Sequence, residues 1–243
     1  MLLQCEIEYG DGEGSWLRAE TLASLSELNE ECLELLAQQA RVPPGSATLA
    51  EIARHWAALD AAGRRRASGC LYLLLDAGFA DPQRWHSCAS AASDEAGRDV
   101  VPFFSVAAAP QLAQGVFTFA WHLARCQASA ARLLLGMPGA SVGSLARHTL
   151  SQVRALALAN PHWLRPRWAL RPVIWREFLT AAASGDPATL ERVRLRGQRL
   201  LAAEARHALS RPPGAGLRAL RSAAVGAARE LRRPAGYVPP QTR

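Results

Sequence analysis

The chain has 243 residues, 49% of them hydrophobic, and a formal net charge of +7; this suffices for a sizeable core and excludes a wholly disordered chain. All 28 basic residues are arginine, which excludes a Walker phosphate loop and a pyridoxal Schiff base, since both need lysine. The basic character is local: Arg192 to Arg243 holds twelve arginines against Glu204 and Glu230, a net +10, leaving −3 for the rest.

The first stretch, MLLQCEIEYGDGEGSW, carries acid where an export signal needs a basic start and a long apolar run. A cytoplasmic protein is therefore expected. CEIEY, within it, is the one modest strand candidate. No apolar run approaches membrane-spanning length, so no membrane partner is expected. The five cysteines (Cys5, Cys32, Cys70, Cys88, Cys126) are scattered and form no CxxC pair, a pattern that suits free thiols in a reducing compartment.

In SLSELNEECLELLAQQA, Leu25, Leu28, Cys32, Leu35 and Leu36 recur at helical spacing, and Pro43-Pro44-Gly45 stops the helix. Thr48 and Glu51 form a capping-box pattern that opens a helix through Trp56 and Leu59. Asp60 predicts a cap for a third helix, from Ala61 to about Gly78. Asp81-Pro82 starts a short helix through Trp85, and residues 89–106 read as loop. From Pro110 to Leu135, the residues Leu112, Val116, Phe119, Leu123, Cys126, Ala130 and Leu133 alternate in steps of four and three. That spacing predicts one long helix packed along its length. Val116, Phe119 and Leu123 would meet a protein partner or a second copy, and an intramolecular bundle gives the same pattern.

Gly136, Pro138 and Gly139 predict the end of that helix, and Thr149 with Gln152 predicts a capping box for the next. Val153, Leu156 and Ala157 supply its apolar face, before Asn160-Pro161 ends it. Asp186-Pro187 opens a helix reaching toward Leu209, and Arg211-Pro212-Pro213-Gly214 marks a boundary. The expected fold is all-α, a multi-helix orthogonal or bundle-like domain with a basic, partly disordered tail. Its expected divisions are a helical region over 1–106, a second over 107–210 and the tail over 211–243.

Several patterns carry candidate chemistry. Gly139-Ala140-Ser141-Val142-Gly143 spells G-x-S-x-G, but a nucleophile elbow needs a strand entering the serine. Here a helix precedes it, so the motif reads as a joint between helices and no enzyme is expected. His122 with Cys126, and His86 with Cys88, have spacings able to ligate metal. Cys126 lies on the apolar seam, where a free cysteine behaves as a small hydrophobe, and His86 with Cys88 lack two further ligands nearby, so no metal or cofactor is expected. Arg64-Arg65-Arg66 reads as the wet face of a helix. In HWLRPRWALRPVIWR, Arg165, Arg167, Arg171 and Arg176 alternate with Trp163, Trp168 and Trp175. Arginine pairs phosphates bidentately and tryptophan can stack on bases, although tryptophans at this spacing also suit a core. These four arginines, with Arg218, Arg221, Arg232 and Arg233 of the tail, are the candidate nucleic-acid contacts.

Read together, FAWHLARCQASAARLLLGM, Leu145 and HTLSQVRALALAN resemble the central part of FlhD. FlhD is a subunit of the bacterial flagellar transcriptional activator. Leu135, Gly136, Met137, Leu145, Thr149, Leu150, Gln152, Val153, Leu156, Ala157 and Asn160 follow its L-G-[IM]…L…T-L-x-Q-[MV]-x-x-L-A-x-x-N pattern. The resemblance covers about a fifth of the chain, roughly residues 119–168. It implies a helical, dimeric, cytoplasmic regulatory protein whose DNA binding depends on a partner subunit. The family's intersubunit cysteine position falls at Leu164, so no disulfide-linked dimer is implied. The expected function is transcriptional regulation through DNA and a partner subunit, with a protein-binding adaptor as the alternative.

Overall fold

The computed structural model describes residues 17–39, 47–86, 103–104 and 107–209. Among them are ten α-helices: α1 (Ala19–Gln39), α2 (Ala47–Ala58), α3 (Ala61–Ser68), α4 (Pro82–His86), α5 (Ala109–Cys126), α6 (Ala128–Leu135), α7 (Gly139–Ala146), α8 (Leu150–Ala159), α9 (Pro172–Ser184) and α10 (Pro187–Leu209). Two short strands, β1 (Leu75–Asp76) and β2 (Arg165–Pro166), pair antiparallel. The all-α expectation holds for these residues. None of the described helices is long and apolar enough to cross a membrane. CEIEY, the side chains of Thr48 and Glu51, Cys5, Cys88 and the tail lie outside what is described.

Helix α5 is central, packing on α1, α6, α7 and α8, while α9 joins α2, α3 and α10 to the far side. One core cluster runs from Leu17 to Leu201. Aromatic rings fill the space between α4 and α5: Trp85 stacks on Phe79 at 5.7 Å and meets Phe117 edge-on at 5.5 Å.

The capping signals carry through to local structure. Asp60 accepts from the Gly63 amide at 2.6 Å, so α3 starts where its cap predicts. Thr149 and Gln152 exchange both capping-box hydrogen bonds at the start of α8, and Asn160 caps its end. Gly136 closes α6 with φ +70°, a left-handed conformation that favours glycine. A Cβ there would also lie 2.5 Å from Leu201 Cδ1. Gly136→Ala is expected to cost about 1–2 kcal/mol, the usual penalty of a left-handed non-glycine residue, readable by urea unfolding.

Two expectations are corrected. The long helix predicted over 110–135 breaks at Gln127, whose φ of −144° and ψ of 64° interrupt the helical path. Its side-chain Nε2 donates to the Thr21 hydroxyl of α1 at 3.0 Å, a tertiary contact that no local pattern announces. The break shifts the phase of the buried face. Leu112, Val116, Phe119, Leu123 and Ala130 are buried as expected, but Cys126 and Leu133 are exposed, and Ala131, Leu134 and Leu135 point inward instead.

The second correction concerns the helix predicted from Ala61 to about Gly78. It ends at Ser68, and the chain then runs without helix through the core as Gly69–Asp76. Cys70, Tyr72, Leu73, Leu74 and Leu75 are all buried. A non-helical backbone inside a helical protein needs outside partners for its amides and carbonyls. Two polar side chains supply them. Asn29 of α1 donates from Nδ2 to the carbonyls of Ser68 (3.1 Å) and Tyr72 (3.0 Å), and its Oδ1 accepts from the Leu74 amide at 2.8 Å. Arg167 serves the other side.

Candidate functional site

Arg167 follows β2, and its amide donates to the Leu74 carbonyl at 2.7 Å. From that position its guanidinium reaches three carbonyls: Leu73 (2.8 Å), Leu75 (3.0 Å) and Leu135 (3.2 Å). Leu135 is the last residue of α6, where a cation also complements the negative end of the helix dipole. The Arg167 carbonyl in turn accepts from Trp175 Nε1 at 2.7 Å. Burial pulls its pKa below the ordinary arginine range, opposed by Asp76 and then Glu204; the guanidinium still carries its proton. Arg167 is 5% exposed. The expectation that it contacts nucleic acid is therefore corrected: it is buried, and its Nε and Nη2 staple β1 and α6 while its carbonyl holds α9.

The interleaved tryptophans point the same way. Trp163 and Trp175 are buried, and Trp175 meets Trp56 edge-on at 5.5 Å. Trp163 lies under Arg84, whose guanidinium sits 4.8 Å from the ring centre. They fill the core and leave base stacking to other groups.

The residues expected to bind a partner are likewise internal. Val116 and Leu123 are 0% exposed and Phe119 is 8% exposed, on the face of α5 that the chain itself covers. A docking surface made of Val116, Phe119 and Leu123 is thereby corrected to an intramolecular seam. In the G-x-S-x-G stretch, residues 139–146 are helix throughout, and Ser141 is fully buried with its hydroxyl lacking a hydrogen-bond partner. The motif is itself a helix; the joint lies just before it. The serine that meets a histidine is Ser144, whose Oγ lies 2.5 Å from His86 Nδ1 and donates to the Ala140 carbonyl.

Arg176 is exposed on α9 and opens onto a groove between α9 and α10 of about 850 Å³. Across it, α10 presents Arg192, Arg196 and Arg199, which recur at i, i+4 and i+7 and so share one helix face. Thr180, Ser184 and Thr189 add hydroxyls to the walls. Arg196 pairs with Glu177, Arg192 donates to Thr189 Oγ1 at 3.4 Å, and Arg199 has no side-chain hydrogen bond or ion pair among the described residues. Asp186 closes one end of the groove as the cap of α10. Its carboxylate accepts from the amides of Ala188 and Thr189. Hydrogen bonding by Thr189, then by Ala188, holds its pKa below the ordinary carboxylate range.

No family model, curated protein or solved structure matches the chain.

Arg165 and Arg171 border a different feature, a cleft of about 470 Å³ beside the C-terminal half of α10. Arg171 lies 3.6 Å from Glu204, which also accepts from Trp168 Nε1 at 3.0 Å. The structure thus divides the arginines predicted to act together: Arg176 lines the groove, Arg165 and Arg171 line the cleft, and Arg167 lies buried behind the cleft wall. Arg218, Arg221, Arg232 and Arg233 lie outside the described residues. Arg192, Arg196 and Arg199 were missed as a group, although their spacing in LERVRLRGQRLL carried the signal.

Proposed function

We propose that the chain is an FlhD-like transcriptional regulatory protein that holds a nucleic-acid backbone against the groove between α9 and α10. The observation that carries this reading is the line of Arg192, Arg196 and Arg199 facing Arg176 across hydroxyl-bearing walls. Arg192 to Arg199 spans about 10 Å along a helix that rises 1.5 Å per residue. Guanidinium groups on such a ridge can each take phosphate oxygens bidentately, with the threonine and serine hydroxyls as further donors. Arg196 would exchange Glu177 for phosphate. The groove offers the backbone charge and hydroxyl donors, so sequence selectivity would come from a partner subunit.

The FlhD-like part of the reading draws support from the roles of the residues that carry the resemblance. Gly136, Thr149, Gln152 and Asn160 cap helices, and Leu135, Met137, Leu145, Val153, Leu156 and Ala157 are buried. A pattern of caps and core positions is what a shared fold would retain.

The test is fluorescence anisotropy with duplex DNA at two salt concentrations. It compares the full chain, a chain ending at Leu209, and a triple variant, Arg192→Gln, Arg196→Gln and Arg199→Gln. Binding is expected to survive the truncation and to weaken steeply with salt. The triple variant should reduce the slope of log K against log salt by about 2–3, near 0.9 for each lost phosphate contact. Absence of binding by the full chain at low salt, with and without a candidate partner subunit, overturns the reading. Binding lost only with the tail assigns it to a nonspecific arm.

A further inference from the structure

The cleft bordered by Arg165 differs in character from the arginine groove. Its floor is apolar, built from Leu135, Leu164, Trp168 and Leu201, and its volume of about 470 Å³ is in the range of small-molecule sites. Leu170 stands at the rim with 89% of its surface exposed, so apolar surface continues outward from the floor. Trp168, part of that floor, has φ 56° although it is not glycine. Its ring is held there by Glu204 and by an edge-on contact with Tyr72 at 5.6 Å. Left-handed non-glycine residues held by their surroundings gather at ligand sites.

The charges around the cleft are mostly spoken for. Arg167 is bound to three carbonyls, Glu204 to Arg171 and Trp168, and Asp76 Oδ1 to the amides of Gly78 and Phe79. Arg165, opposite Asp76 in the strand pair, differs in making no such contact. It is half-buried at the lining and has no side-chain hydrogen bond or ion pair among the described residues. A guanidinium with its donors unused, above an apolar floor, suits a ligand with an anionic head and an apolar body.

We infer that this cleft binds a small amphipathic carboxylate, its apolar body on Leu135, Leu164 and Leu201 and its carboxylate on Arg165. A phosphorylated sugar or nucleotide would leave the floor unused and its own hydroxyls unsatisfied.

The experiment titrates full-length protein with octanoate, 1-naphthoate and the neutral octanamide, by calorimetry and by tryptophan fluorescence. Saturable binding of at least one of the two carboxylates is expected, with octanamide at least tenfold weaker than octanoate. Arg165→Gln should bring octanoate and octanamide to similar affinity, and Arg165→Lys should preserve the preference for the anion. Circular dichroism melts of the variants confirm that each remains folded. No saturable binding of either carboxylate overturns the inference. Equal binding of octanoate and octanamide by the parent overturns its anionic part, and an anion preference that persists in Arg165→Gln overturns the role of Arg165.

Discussion

Arg167→Ala is expected to be among the most destabilising single substitutions in the chain. It strands the carbonyls of Leu73, Leu75 and Leu135, which Arg167 now satisfies in a buried setting. Each stranded buried polar group costs about 1–3 kcal/mol, so a loss of about 4 kcal/mol or more is expected. For a domain of this size that lowers the melting midpoint by roughly 8–16 °C. Arg167→Met, which restores apolar volume, should recover little, because the unmet carbonyls remain. Arg167→Lys should recover part, since one ammonium can reach some of the three carbonyls but lacks the planar fork that serves them together. Melting curves of the three variants check this order. If Met is as stable as the parent, the hydrogen bonds are not what holds the segment.

Asn29 is expected to give the second large effect, with a dependence on pH that identifies its cause. Its amide orientation is dictated by its surroundings: Nδ2 faces the carbonyls of Ser68 and Tyr72, and Oδ1 faces the Leu74 amide. Asn29→Asp keeps the shape and places an acceptor where a donor is needed. Burial and the two opposed carbonyls raise the aspartate pKa in the folded chain above its ordinary value of about 3.9. The variant is therefore most destabilised at neutral pH. The difference from the parent narrows as pH falls through the raised pKa, and its ionic part is gone below the ordinary one. Urea unfolding of parent and variant at pH 7.5 and pH 5 should show a smaller gap at pH 5. Asn29→Ala should cost about 3 kcal/mol at both.

These two side chains also mark where reading the sequence falls short. Caps are legible because their chemistry is local: Asp60, Thr149 with Gln152, and Gly136 act within a few residues of themselves. The apolar face of α5 is legible as far as Leu123 for the same reason. Beyond it, the break at Gln127 depends on Thr21, 106 residues away. LYLLLD gave no helix-stop signal because its backbone partners are Asn29 and Arg167, each remote in sequence. Within the Trp/Arg stretch, composition alone could not separate Arg167 from Arg165 or Arg171. All three sit within seven residues, and only the pairing of Leu75 with Pro166 turns the first inward. The arginine ridge of α10 was legible in its spacing; its partner across the groove, Arg176, follows only from the packing of α9 on α10.

The two clamps also order the steps by which the chain assembles. Asn29 and Leu74 are 45 residues apart, and Arg167 and Leu73 are 94 apart. Loops of that length must close before either clamp forms, and contacts of such long range slow folding. The helices around them need only local bonds and can appear first. Asn29 can hold residues 68–74 against α1 first, and the contacts on the other side of the segment need Arg167. A nascent chain that has not yet reached Arg167 carries three carbonyls with no guanidinium to receive them. The segment is fully satisfied only once β2 and Arg167 are in place.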